Sequence, residues 1–294
     1  MTTSWLELKR PLEPHFVRLL GDLDDVLQTQ GVPYLLSGAM AREILLHYGH
    51  GCASGRKTTD MDFGVTVRDW EAYEAIKAAL VACGRFRLDQ KEAQRVIHSD
   101  TETGTDTRVD LVPFGRIAGP DGSISWPPDG AHIMHVLGYE QALASAIRLR
   151  IDGTRGIPMA SAAGQAILKL VAHRDRAKRT QGRDAADFYE LLRHHADTLT
   201  DEQLYDVYPE AMARYEFRPE PAGAWILGRQ VSKMIDGQLR HWLATILAPD
   251  ARSRLLDGML REYQRIEQND QKSEAGSLLS AFEQGLGSGD DTSL

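Results

Sequence analysis

Two aspartates one residue apart constrain this chain more than any other feature: Asp60 and Asp62, in Thr58-Thr59-Asp60-Met61-Asp62-Phe63-Gly64-Val65-Thr66-Val67. Phe63, Val65 and Val67 alternate with smaller or polar residues, which is the period of a strand. Side chains two apart in a strand share a face, so both carboxylates project the same way. Like charges held that close repel and lose hydration unless a divalent cation sits between them. The pair therefore reads as an all-oxygen clamp for Mg²⁺, the usual companion of nucleoside triphosphates. A surface turn with both acids in solvent is the competing reading.

Upstream, Tyr34-Leu35-Leu36-Ser37-Gly38-Ala39-Met40-Ala41-Arg42-Glu43-Ile44-Leu45-Leu46 reads as a short apolar strand, a tight Ser-Gly turn and a helix. Gly38 lets the backbone approach a ligand, Ser37 adds a hydroxyl, and free amides at a helix start suit a phosphate. An ordinary helix cap uses the same residues. Downstream, residues 107–114 form a second apolar strand with Asp110 between Val109 and Leu111. An acid there is costly unless it is paired, metal-bound or on the solvent face of an edge strand. If its strand neighbours that of Asp60, three carboxylates converge, the two-metal arrangement for phosphoryl or nucleotidyl transfer.

The order of elements predicts an α/β (α+β) fold, a mixed sheet with flanking helices followed by a helical C-terminal region. Residues 12–30 read as an amphipathic helix leading to a strand at 33–37, and a Gly-, His- and Lys-bearing loop (49–58) delivers the Asp60 strand. Asp69 caps a helix running to about residue 82, with Trp70, Tyr73, Ile76 and Leu80 at helical spacing. Strands near 85–88, 94–98 and 107–114 follow, then a Gly/Pro-rich loop (115–131) whose Trp126-Pro127-Pro128 either lines a cleft or packs. A strand pair near 132–138 and 146–151 leads to helices from about 161. The apolar stripe from Trp225 to Leu247 reads most simply as core, with an acceptor-orienting accessory domain as the alternative. The expected domains are a core over 1–160, a helical region over 161–268 that completes the active site, and a polar, disordered tail over 269–294.

Charge and cysteine usage narrow the function classes. A net charge of −8 excludes a globally basic sleeve for nucleic acid, so any RNA contact needs a local patch. Arg174, Arg176, Lys178, Arg179 and Arg183 around Asp175 offer one, or else a solvated helix face. Apolar runs fall short of a membrane span and no signal peptide is visible, so a cytoplasmic protein without membrane contact is expected. Cys52 and Cys83 lack metal-type spacing and read as reduced thiols. Lys169, in an apolar helical stretch, either snorkels to the surface or binds phosphate. The adjacent His194-His195 reads as surface.

Taken in order, Leu36-Ser37-Gly38-Ala39, Arg56-Lys57-Thr58-Thr59-Asp60-Met61-Asp62-Phe63 and Val109-Asp110-Leu111 resemble the DNA polymerase beta-type nucleotidyltransferase superfamily. Within it the chain most resembles the AbiEii-like and MenT-like bacterial nucleotidyltransferases, many of them toxins of toxin–antitoxin or phage-defence systems. Ile167 to Arg176 and Gly182 to Tyr189 are similar to that family's Lys…Arg…Lys-Asp…Asp block. The resemblance spans residues 30–195 and implies transfer of a nucleoside monophosphate from an NTP to an acceptor hydroxyl. A tRNA 3′ end, a protein or a small molecule could each be that acceptor, and the alternative is a non-catalytic nucleotide- or RNA-binding or regulatory member of the same fold. The resemblance implies Mg²⁺, with Mn²⁺ as a substitute, bound by Asp60 and Asp62. Asp110 would complete the site as ligand or base, and Ser37 and Gly38 would contact the triphosphate. Lys169 would neutralise the triphosphate, Arg183 and Asp184 would lie at the nucleotide, and a cognate antitoxin would be a partner. The chain departs from the family in having Ser37-Gly38-Ala39 at the phosphate turn and Arg183 where Lys is usual.

Overall fold

In a computed structural model of the chain, residues 4–53, 58–180, 182–261 and 268–288 are described. They divide into two compact units, Met1–Ser161 and Ala162–Leu294. In the first unit the elements are β1 (Trp5–Leu6), α1 (Pro14–Thr29), β2 (Tyr34–Ser37), α2 (Gly38–Glu43), β3 (Met61–Thr66), α3 (Trp70–Ala82), β4 (Phe86–Leu88), β5 (Arg95–Asp100), β6 (Thr105–Phe114), β7 (Ser123–Ser125), β8 (Ile133–His135), α4 (Tyr139–Ala144), β9 (Ile147–Arg150) and β10 (Gly156–Met159). Among the described residues eight strands join one mixed sheet in the order β1-β9-β10-β2-β3-β6-β5-β4, and β7 pairs β8 as a separate hairpin. The expected strands and helices form, but the strand pair expected near 132–138 and 146–151 does not: β8 pairs β7, and β9 pairs β1 and β10 in the main sheet. Helix α2 continues as a π-helical segment over Ile44–Gly49.

Alternation along the strands assigns the two faces of the sheet. Met61, Phe63 and Val65 of β3, Val96 and His98 of β5, and Val109 and Leu111 of β6 are buried. The intervening Asp62, Arg95, Ile97, Arg108 and Asp110 are half-buried or exposed. On the buried side α1 contributes Leu19, Leu20, Leu23 and Leu27, each 0% exposed, at helical spacing behind a Pro14 start. Asp69 caps α3 through the Ala72 amide, and Tyr73 of that helix donates its hydroxyl to the Leu111 carbonyl. Trp126 packs against Trp70 and Tyr73 instead of lining a cleft.

The second unit comprises α5 (Ala162–Thr180), α6 (Arg183–His194), α7 (Pro209–Arg214), α8 (Pro219–Met234), α9 (Gly237–Leu247), α10 (Pro249–Met259) and α11 (Gln268–Gly287). Trp225, Ile226, Val231, Leu239, Leu243 and Ile246 of the apolar stripe are core. The disordered tail expected from 269 is instead α11, whose Ala275, Leu278, Leu279 and Phe282 are buried and whose Phe282 meets Phe188 edge-on. Two glycines explain why a Gly/Ser-rich segment can pack so closely against α8. A Cβ on Gly228 would fall 2.1 Å from the Phe282 carbonyl oxygen, and one on Gly285 would fall 2.0 Å from that of Trp225. Residues 289–294 of the expected tail lie outside the described residues. No described helix is long and apolar enough to cross a membrane.

Candidate active site

Strand register gathers the acids. β2, β3, β6 and β5 are consecutive neighbours, with Ser37 paired to Asp62, Asp62 to Asp110, and Asp110 to Arg95. Directly paired residues share a face, so these four form one row on the sheet face opposite Met61, Phe63 and Val109, with Ser37 buried and the other three half-buried. The next row toward the β3 N-terminus holds Arg108, Ile97 and Arg87 on β6, β5 and β4. Asp60, one residue before β3, meets that row through Arg108 at 3.7 Å. The sequence thus places its two motif aspartates on one face, and pairing with β6 adds Asp110 beside Asp62.

The Ser-Gly turn is built around Asp62. Ser37 is 1% exposed and donates its hydroxyl to the Asp62 carbonyl at 3.3 Å, so that hydroxyl serves the strand junction and not open solvent. Gly38 has φ +74°, where side chains are strained, and a Cβ there would lie 1.9 Å from Asp62 Oδ2. Only glycine leaves room for this carboxylate. Hard-oxygen carboxylates are the donor chemistry a divalent cation takes, but the expected convergence of three does not appear: among the described residues the oxygens of Asp60, Asp62 and Asp110 do not all come within 4.8 Å of one another. Asp60 and Asp62 are the residues that could hold it. Asp110 already has both oxygens engaged by Arg95, at 2.7 and 2.9 Å. The Asp110 hydrogen bonds raise the Arg95 guanidinium further above its ordinary value, against the opposing cost of burial.

Arg95 is the residue that sequence reasoning missed. It stands thirty-five positions after Asp60 in a polar stretch, and no spacing rule links it to Asp110; the antiparallel β5–β6 register does. A bidentate Arg–carboxylate pair fixes the plane of the acid as well as its charge.

The second unit holds a different cluster. Lys169 on α5 is 7% exposed, so it is not a surface lysine, and its ammonium lies 2.6 Å from Asp187 and 3.5 Å from Asp184 on α6. Arg176 adds two bonds of 3.0 Å to the two oxygens of Asp184. Burial pushes the Asp184 carboxyl up, but Lys169 and Arg176 outweigh it and hold the acid below the usual range. Arg183, at the start of α6, is exposed. Arg174 stacks on Trp242 with its guanidinium 4.2 Å from the ring centre. His195, expected on the surface, is instead 3% exposed, at the junction of α6 with the short Ala196–Thr198 turn. Arg56 and Lys57 lie outside the described residues, as do the side chains of Lys178 and Arg179.

Residues 21–273 match the model of the nucleotidyl transferase AbiEii toxin family, described as a type IV toxin–antitoxin system. The chain belongs to this family. It is accordingly a nucleotidyltransferase. No curated protein matches the chain. Solved structures similar to it include an antigenic nucleotidyltransferase-like protein from Paracoccidioides brasiliensis, at 16% identity over 83% of this chain and 94% of that one, TM-score 0.43. Another is ANT(2")-Ia in complex with adenylyl-2"-tobramycin, at 13% identity over 68% of this chain and 98% of that one, TM-score 0.35. A third is the Thermotoga maritima CCA-adding enzyme complexed with tRNA, at 12% identity over 96% and 84%, TM-score 0.25. The AbiEii match covers the sheet residues Ser37, Asp62, Asp110 and Arg95 and the Lys169 cluster alike.

Proposed function

We propose that this AbiEii-family chain transfers a nucleoside monophosphate from an NTP to the 3′ hydroxyl of a tRNA, acting as a toxin restrained by a cognate antitoxin. The observation that carries the chemistry is the row in which Asp62 and Asp110 sit in register beside Asp60, above Gly38. Asp60 and Asp62 would hold Mg²⁺, for which Mn²⁺ can substitute. When bound, the cation offsets the charge that develops on the phosphates. Gly38 is where the turn comes nearest to Asp62, so the triphosphate meets the turn there.

Asp110 is assigned to the acceptor. Arg95 accounts for one lone pair on each of its oxygens, and the remaining pairs can accept the proton of the incoming hydroxyl. The acceptor oxygen forms the new bond to the α-phosphorus, the bond from that phosphorus to pyrophosphate breaks, and the hydroxyl proton passes to Asp110. The tRNA and the antitoxin rest on family membership.

The test incubates the purified protein with each α-labelled NTP, Mg²⁺ and total bacterial RNA, with Asp60→Asn alongside. Label on a tRNA-sized band from the wild type alone is the expected result and names the base. Label on protein, or none on RNA, overturns the tRNA assignment. Label transferred equally by Asp60→Asn overturns the metal assignment.

A further inference from the structure

The exposed face of the sheet does not end at the aspartates. An open cleft of about 490 Å³ adjoins them, lined by Arg87 and Leu88 of β4, Lys91 of the following loop, Arg95 and Ile97 of β5, and Arg108 of β6. It lies wholly in the first unit. Two acids, Asp89 and Glu92, also line it, so four cations stand against two carboxylates, and both acids are hydrogen-bonded to their own loop. Asp89 accepts the amides of Lys91 and Glu92, and Glu92 accepts the Gln94 side-chain amide. The arginines are held more loosely. Arg108 is 59% exposed and stands 3.7 Å from Asp60, and Arg87 shares an exposed pair with Asp106. Exposed pairs of this kind contribute little and exchange readily for another anion.

The register gives this cationic lining a direction. Arg108, Ile97 and Arg87 are one row across three adjacent strands, and Asp60 stands at its inner end. From the β3 line to β4 is three inter-strand steps, about 14 Å at the usual strand spacing. Leu88, 51% exposed, and Ile97 add apolar surface between the charges. Cations spaced along a track with apolar side chains between them suit a single nucleic-acid strand, phosphates on the arginines and bases on the apolar atoms. On a chain of net charge −8, such a patch is a local departure from the overall field.

We propose that this cleft seats the single-stranded 3′ end of the acceptor RNA, its phosphates on Arg108, Arg87 and Lys91, so that the terminal hydroxyl reaches Asp110. The inference rests on the reading that the acceptor is RNA. It adds that the strand crosses the sheet over β6, β5 and β4.

The test compares wild type with Arg87→Glu/Lys91→Glu, measuring KM for RNA and KM for the NTP separately, and RNA binding against salt concentration. Both positions are exposed, and the neutral pair Arg87→Gln/Lys91→Gln guards against a misfolded charge-reversal variant. The expected result is a KM for RNA raised about tenfold or more by the Glu pair and less by the Gln pair, with KM for the NTP moving less than about threefold. The salt slope of log affinity should become shallower by about 0.7 for each RNA phosphate that the variant no longer neutralises. If wild type labels RNA and both variants keep its RNA KM and salt slope, the cleft assignment is overturned while the RNA reading stands. If wild type labels no RNA, the RNA reading is overturned, and the cleft assignment with it.

Discussion

Asp62 and Asp184 both lie within the AbiEii match, yet the two units treat them in opposite ways. Asp62 sits half-buried on the outward face of a sheet, in a row with Asp110 and beside Asp60, and only the absence of a Cβ on Gly38 gives it space. Asp184 is 3% exposed and already matched by Lys169 and Arg176, with Asp187 completing the group. The first arrangement sets its acids on a half-buried sheet face, with Arg95 on Asp110 and Arg108 near Asp60. The second neutralises charge internally and ties α5 to α6. A half-buried row is suited to binding and chemistry, whereas a buried cluster is suited to holding two helices in one geometry.

The contrast is sharpest in what removal of one member should do. Lys169→Ala leaves Asp187 and Asp184 buried without their lysine, and breaking a buried pair costs about 3–5 kcal/mol. The expected outcome is a large fall in Tm, checked by thermal denaturation; a Tm within a degree of wild type would break the comparison. Asp62→Asn should do the reverse. It keeps the shape of the side chain and removes its charge, so Tm should move less than in Lys169→Ala, while pyrophosphate release falls by about 10²–10³. Retained turnover would mean that the open row is not the reaction centre.

Gly38→Ala tests whether the row depends on its turn. The new methyl must displace the Asp62 carboxylate, and the residue must also adopt φ +74°, strain of about 1–3 kcal/mol. Both stability and NTP turnover should fall, with the metal requirement shifted to higher Mg²⁺ concentration. Arg95→Gln should have a smaller effect. It frees Asp110 without removing a carboxylate, so turnover falls about tenfold, roughly 1.4 kcal/mol, and Tm changes little. Arg95→Lys restores charge but not the two-pronged grip, and should recover only part of the loss.

How much of this was legible depended on the distance over which each cause acts. The strand that carries Asp62 and the Asp69 cap are local, set by a period of two and by one turn of helix, and both form as read. Asp110 beside Asp62 followed from assuming that two apolar strands pair, which the register bears out. Arg95 was not legible, because its meaning comes from a strand pairing that no local pattern encodes. The partner of Lys169 lies eighteen residues away on the next helix, so burial could not be told from snorkelling. The C-terminal helix was misread for a different reason. Gly276, Gly285 and Gly287 lower helix propensity, but Gly285 permits the close crossing with α8 that stabilises the segment. Composition registered the cost of those glycines and could not register the packing.

Acid provides the gentlest test of the buried cluster. Burial alone would raise the Asp184 carboxyl, yet the charges of Lys169 and Arg176 hold it below its ordinary value. A depressed folded value means that ionised Asp184 contributes stability at neutral pH. That contribution is fully present above the unfolded value of about 3.9 and is lost as pH falls through the lower folded value. Other carboxylates also protonate in this range, Asp100 beside Arg18 among them, so the fall of Tm into acid is not by itself diagnostic. The difference between wild type and Arg176→Gln is. Without Arg176 the folded value of Asp184 rises, its contribution at neutral pH shrinks, and less remains to be lost. Arg176→Gln should therefore be less stable than wild type at pH 7 and should lose fewer degrees of Tm between pH 7 and pH 3. Parallel Tm curves for the two proteins would show that Arg176 does not set the charge state of Asp184.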